Sequence, residues 1–209
     1  MVNNLEIIKG LFYFNEANNM FFHCQIVRRA KDHKESEKKV KEGSIHTYLV
    51  RSKEHLETLM PEIILLCEHY GARAYINVAG KDFSCLRAEM ARDIINDTID
   101  NVQRNPMRYL SSAAGKVVSR MPKWIVDIDD IKECPTIKDY LINKLSGNVL
   151  MGGKPIHLYA EIPTRTGAHL ITSGFNLKEF HDKFSHVDVH KNSMGTLLYS
   201  PKSIDIYNI

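Results

Sequence analysis

Trp124-Ile125-Val126-Asp127-Ile128-Asp129, followed at once by Asp130, is a short apolar run that ends in acid. Alternate residues of a strand share a face, so Asp127 and Asp129 project from one side and Val126 and Ile128 from the other. Two carboxylates one strand-step apart repel each other unless a cation or water shares them. Oxygen donors of this kind suit Mg²⁺ or Mn²⁺. The same pattern also describes a solvated strand end with two surface acids, and D-x-D alone does not separate the two.

Two later stretches bear on that choice. Thr164-Arg165-Thr166-Gly167-Ala168-His169-Leu170-Ile171-Thr172 reads as a tight turn and the strand leaving it. Its hydroxyls, backbone N–H groups and Arg165 can receive a phosphate. His169 follows Gly167 by two residues, on the face opposite Ala168 and Leu170, where an imidazole N–H can hold a triphosphate oxygen. The alternative is a hairpin turn with Gly167 at its left-handed position and a half-buried histidine satisfied by a neighbour. In Val187-Asp188-Val189-His190-Lys191-Asn192, Asp188 is a candidate third carboxylate, with Asp182 and Asp205 as competitors. His190 shares its face, and Lys191 or Asn192 can meet a ligand.

The flanking chain gives the fold class. Strands are expected over 20–27, 45–51, 73–78, 124–129, 157–162, 168–172, 187–190 and 196–199, the last two finishing the sheet. Helices are expected from Ser52, an N-cap, to Tyr70 with Gly71 as C-cap, over 83–103, over 136–145 and over 176–184. Pro61 should kink or restart the first of these. Gly80-Lys81-Asp82 reads as a turn, 107–123 as a connector with a helical piece, and the charged 28–43 as a solvated loop. Hairpins outnumber βαβ units, so the class is α+β: a mostly antiparallel sheet with helices on one face. The chain reads as a single compact domain over 1–209, with an N-terminal α/β unit (1–106) and a metal-binding unit (107–209).

Bulk properties narrow the function. With 209 residues, 44% hydrophobic and 25% charged, the chain can bury a core, and no apolar run is long enough to span a bilayer. Its opening residues do not look like a targeting segment. Cys24, Cys67, Cys85 and Cys134 are widely spaced with no C-x-x-C pair, which argues against a disulfide framework or a cysteine zinc site and for a reducing cytoplasm. A net charge of +3 permits a nucleic-acid or nucleotide partner without a histone-like excess.

The acidic D-x-D strand, the hydroxyl/basic-Gly-x-His strand and the later strand with a single Asp, in that order, resemble the catalytic core of the archaeo-eukaryotic primase superfamily, primase-polymerases included. The resemblance covers roughly residues 73–200 and extends to the small stand-alone members of phages and bacterial mobile elements. It implies an RRM-like antiparallel catalytic sheet beside the N-terminal unit. It also implies two Mg²⁺ or Mn²⁺ ions on Asp127, Asp129 and Asp188, and a triphosphate held by Arg165, Thr166 and His169. Nucleoside triphosphates and a single-stranded template are the implied partners, with a replicative helicase as a further candidate. Arg73 is a candidate phosphate or template contact, or else an arginine paired with a surface acid. Lys116, Arg120 and Lys123 are placed to line the template path. The chain departs from larger relatives in having no Cys/His zinc stem and no helicase domain.

Other readings of the same residues remain. The acids would serve a metal-dependent nuclease or phosphoesterase with His169 as general acid or base. His181, His186 and His190 have a spacing that would suit zinc on a helix. A non-catalytic nucleic-acid-binding module is the non-enzymatic alternative.

Overall fold

The computed structural model describes residues 1–14, 19–32, 42–102, 104–119, 121–145, 155–191 and 195–202. They form an α+β fold of six α-helices and two antiparallel sheets, of six and four strands. No helix among them is long and apolar enough to cross a membrane.

The larger sheet holds β1 (Val2–Asn3), β2 (Met20–Arg28), β3 (Gly43–Val50), β4 (Arg73–Ile76), β5 (Lys81–Asp82) and β10 (Thr196–Ser200). Its order is β1-β10-β4-β2-β3, with β5 paired to the start of β2. The turn expected at Gly80-Lys81-Asp82 is therefore partly a strand. Lys81, only 1% exposed, sends its ammonium to the carbonyl of Ala114 at 2.6 Å instead of into water.

Alternation along β2 and β3 builds two apolar faces. Phe22, Cys24, Ile26 and Val50 pack against Leu56, Met60, Ile63 and Cys67 of α2 (Lys53–Tyr70). Phe21 and Leu49 pack against α3 (Phe83–Ile99) and α4 (Pro106–Lys116) through Leu86, Ala113 and Ala114. The larger sheet thus carries helices on both faces, where the sequence led us to expect one.

The helix ends follow their caps. The Ser52 hydroxyl accepts from the N–H of His55 at 3.0 Å, and Gly71 closes α2 in the left-handed region at φ 55°. Helix α2 runs unbroken through Pro61, which neither restarts nor ends it. Helix α3 stops at Ile99, short of the expected 103, because Asn101 turns left-handed at φ 54°. Its apolar positions are not all core: Leu86 is buried, whereas Ile95 and Ile99 are 58% and 74% exposed. At the N-terminus, where the sequence suggested no element, α1 (Leu5–Leu11) buries Ile8 and Leu11.

The smaller sheet is built from β6 (Trp124–Ile128), α5 (Cys134–Asn143), β7 (Leu158–Pro163), β8 (Ala168–Thr172), α6 (Leu177–Lys183) and β9 (Asp188–Lys191). Chain order is β-α-β-β-α-β, and spatial order is β7-β8-β6-β9. Val126, Ile128 and Leu170 face α5 and α6 in one core with Ile137, Leu141 and Phe180. The opposite face sends Ile125, Ile162 and Ile171 into the core of the larger sheet.

Strand β10 does not finish the smaller sheet beside β9 as expected. It crosses to the larger sheet and lies between β1 and β4. All five of its residues are buried, which suits a central strand covered on both faces.

Candidate active site

The face that the smaller sheet turns towards the larger one changes character at the C-terminal end of β6. Asp127 stands directly opposite His169 of β8 and directly opposite Asp188 of β9. Cross-strand partners share a face, so Asp188, Asp127 and His169 form one row across three strands. Asp129 lies one strand-step beyond Asp127, just past the end of β6.

His169 is held at both ring nitrogens. Its Nε2 lies 3.2 Å from Asp127 Oδ1, and its Nδ1 lies 2.8 Å from the hydroxyl of Thr196 on β10. A carboxylate only accepts, so the proton on Nε2 points at Asp127. The imidazole therefore joins the two sheets while directing one N–H into the space between them.

That space is an open cavity of about 600 Å³. Asp127, Asp129, Asp188, His169 and His190 line one side, all from the smaller sheet. Arg73, Tyr75 and Leu197 line the other from the larger sheet, with Arg29 just past β2. Thr164, Arg165 and Thr166 of the β7–β8 turn close one end. Arg29 donates to the Tyr75 hydroxyl at 3.1 Å. Arg73 pairs with Asp32, whose side chain is 4% exposed, and Arg165 reaches the same carboxylate at 4.0 Å. Acids thus occupy one wall and guanidinium groups the other. The acid paired with Arg73 is buried, not the surface acid considered from the sequence.

The turn is seated by Gly167. Its N–H donates to the Thr164 hydroxyl at 3.0 Å, and its carbonyl accepts from the Thr164 N–H at 2.9 Å. A Cβ here would fall 1.7 Å from the carbonyl oxygen of Ile128 and 2.7 Å from the carbonyl carbon of Asp129. Gly167 is not in the left-handed conformation that the alternative hairpin reading gave it. Close approach to the acidic strand end is what requires glycine.

The donor set suits a hard divalent cation in kind: three carboxylates on one face, two of them directly opposed across neighbouring strands, where like charges repel unless a cation intervenes. Among the described residues, no three His, Cys, Asp or Glu side chains already converge as a metal cage. Asp127, Asp129 and Asp188 are the residues that would hold such a cation, after the carboxylates turn towards one another.

Several residues singled out from the sequence lie elsewhere. Lys191 points to the opposite face of β9, its ammonium 4.7 Å from the centre of the Trp124 ring, because residues 188 and 191 fall on different sides of a strand. Asp182 is exposed on α6, away from the cavity. Lys116 pairs with Asp93 at 2.5 Å. Lys123 donates to the carbonyls of Leu11 and Val78, and burial pulls its ammonium below its ordinary value. Lys123 is thus a structural tie, while Lys116 keeps an exposed ion pair at the surface. Arg120, Asn192 and Asp205 lie outside the described residues. The three histidines considered for zinc do not meet: His181 is on α6, His186 accompanies Glu133 at 2.9 Å, and His190 faces the cavity.

Arg29, Tyr75, Leu197 and Thr196 were not identified from the sequence. Alternation in Arg73-Ala74-Tyr75-Ile76 does place Tyr75 on the face of Arg73. Nothing local marks Thr196, whose partner is 27 residues away on another sheet. Neither family models, curated proteins nor solved structures gave a match to this chain.

Proposed function

We propose that the protein is a metal-dependent nucleotidyltransferase of the primase-polymerase type, adding nucleotides from NTP or dNTP to a 3′-hydroxyl or joining the first two of a primer. One observation carries the reading: a cavity with three carboxylates, His169 and His190 on one wall faces Arg29 and Arg73 on the other, with Arg165 at one end. A triphosphate bridges such walls, its oxygens taken up by guanidinium groups and its remaining charge facing the acids.

Arg73 and Arg165 would hold phosphate oxygens by charge-assisted hydrogen bonds, with the Thr166 hydroxyl as a further donor, and the Nε2–H of His169 would join them once Asp127 turns from it towards a cation. Divalent cations held on Asp127, Asp129 and Asp188 would lower the pKa of the attacking hydroxyl and neutralise the leaving pyrophosphate. Half-buried Tyr75 offers the sugar or base a flat surface. The β-α-β-β-α-β order with a β7-β8-β6-β9 sheet supports an RRM-like catalytic unit. A cytoplasmic setting, read from the widely spaced free cysteines, and a helicase partner, which rests on the resemblance alone, belong to the same proposal.

The test is incubation with Mn²⁺, labelled nucleotides and a single-stranded template. Chain growth is expected, and it should disappear in the Asp127→Asn, Asp129→Asn double variant. The carboxylate-oriented imidazole of His169 specifically favours a second reading, a nuclease or phosphoesterase with that histidine as general acid or base. Template shortening without growth selects it. Retention of every measurable activity in the double variant selects a binding module.

A further inference from the structure

The arginine wall of the cavity has an anion behind it. Asp32 closes the 3₁₀ turn Ala30–Asp32, its N–H donating to the carbonyl of Arg29 at 3.0 Å. Its side chain is buried and is not part of the cavity lining. Oδ1 accepts from Nη2 of Arg73 and lies 4.0 Å from Nη1 of Arg165. Arg73 starts strand β4 of the larger sheet, and Arg165 sits in the β7–β8 turn of the smaller one. One carboxylate thus gathers cations from both sheets.

The pair with Arg73 is half made. Oδ2 of Asp32 and Nε of Arg73 are both buried, and neither has a hydrogen-bond partner among the described residues. Nε and Nη2 form one edge of a guanidinium, an edge that can take both oxygens of a carboxylate. A slight turn of Asp32 completes that fork. Engaged by this edge, Arg73 keeps Nη1 for the cavity that it lines.

Two effects of Asp32 on an anion in the cavity oppose each other. Its charge lowers the positive potential, which weakens anion binding. Its contacts fix where the guanidinium groups stand, which strengthens it. Arg73, with its side chain 13% exposed, faces three carboxylates over open space. A guanidinium does not give up its proton. Without a counter-ion behind the wall, Arg73 becomes an unpaired buried charge and is drawn towards Asp127, Asp129 and Asp188. There it would cancel the charge that a cation needs and leave the place that a phosphate needs. Placement therefore outweighs potential.

We propose that Asp32 is a positioning residue: it holds Arg73 and Arg165 back from the acidic wall and presents them to a polyphosphate. That the polyphosphate belongs to a nucleotide rests on the nucleotidyltransferase reading; the placing of the two arginines does not.

Calorimetric titration of the full chain with inorganic tripolyphosphate, in EDTA at low salt, reads the arginine wall without metal, base or catalysis. Asp32→Asn keeps the shape and removes the charge. Loss of one charge-assisted hydrogen bond to phosphate corresponds to about tenfold or more in affinity. The variant should therefore bind about tenfold more weakly, although it is one charge more positive. Adding Arg73→Gln to Asp32→Asn should cost less than about a further twofold, because the arginine has already left its place. An Asp32 that merely supported the fold would leave Arg73 working until it was removed. Asp32→Glu keeps the charge and moves it by one methylene; it should also weaken binding and serves if Asp32→Asn does not fold. If binding depends on Asp32 in this way yet wild type extends no strand, the positioning role stands and the proposed activity fails. The role is overturned if wild type binds no tripolyphosphate, if the Asp32 variant binds it as tightly as wild type or more tightly, or if removing Arg73 from Asp32→Asn costs about a further tenfold. Strand extension by wild type alongside any of those results leaves the activity standing without the role.

Discussion

Thr196 and His169 make a testable pair because they come from different sheets, and the hydroxyl is fully buried. Thr196→Val keeps the shape and removes the partner of Nδ1. A buried polar atom left unsatisfied costs about 1–3 kcal/mol, so urea denaturation should show a loss of that size. If Thr196 orients the imidazole for nucleotide transfer, kcat should also fall, by about tenfold, with little change in KM; an equal loss of stability with unchanged kcat would reduce Thr196 to a structural role. His23 gives a pH prediction outside the site. Burial and then the neighbouring Lys81 push its imidazole down from 6.5 to about 4. The native ring stays neutral while the unfolded chain takes up a proton between those values. Stability is therefore full above pH 6.5 and falls as the pH drops towards 4, by roughly 3 kcal/mol in all. Its Nε2 has no hydrogen-bond partner among the described residues, so His23→Phe should fold and should remove that part of the acid sensitivity in denaturation series at pH 7 and pH 4.5.

At the scale of elements, the β7–β8 turn and the end of β6 fit through one glycine. A methyl group on Gly167 would meet the backbone of Ile128 and Asp129, which no rotamer change can relieve. Gly167→Ala should destabilise the chain by about 2–3 kcal/mol and displace Asp129, so weaker Mn²⁺ binding is expected even where the variant remains folded at low temperature. Unchanged Mn²⁺ affinity in a folded variant would remove Asp129 from the cation site. The same contact shows what the sequence could and could not convey. Local signals carried the caps at Ser52 and Gly71, the hairpin at 163–167 and the alternation that puts Asp127, His169 and Asp188 each on a definite face of its own strand. They did not carry register. That Asp127 falls opposite both His169 and Asp188, and not one residue away, depends on how three strands settle against shared cores. Lys191 was misplaced for a related reason: a long cation near a candidate ligand invites a functional reading, but strand parity turns it onto Trp124. Lys81 and Lys123 went the same way, since a charge normally implies exposure until a buried carbonyl is available to it.

For the whole molecule, the decisive feature is the return of β10. The stretch 121–191 contains all four strands of the smaller sheet, yet Ile125, Ile162 and Ile171 lie in the core of the larger one, and β10 leaves to pair with β1 and β4. The site is divided in the same way: its acids and His169 come from one sheet, while Arg29, Arg73 and Tyr75 come from the other. A fragment of residues 107–209 would expose the apolar inner face of the smaller sheet and leave β10 without either neighbour. Exposed strands of that kind associate instead of remaining monomeric. The fragment should therefore show no cooperative thermal unfolding and should aggregate, whereas the full chain should unfold in one transition. Mixing it with residues 1–106 should restore a folded complex if the shared core supplies the missing contacts. Independent cooperative folding of 107–209, followed by circular dichroism and amide exchange, would mean that the two sheets are separate units and that the cavity between them is set by a much weaker interface than the shared isoleucines imply.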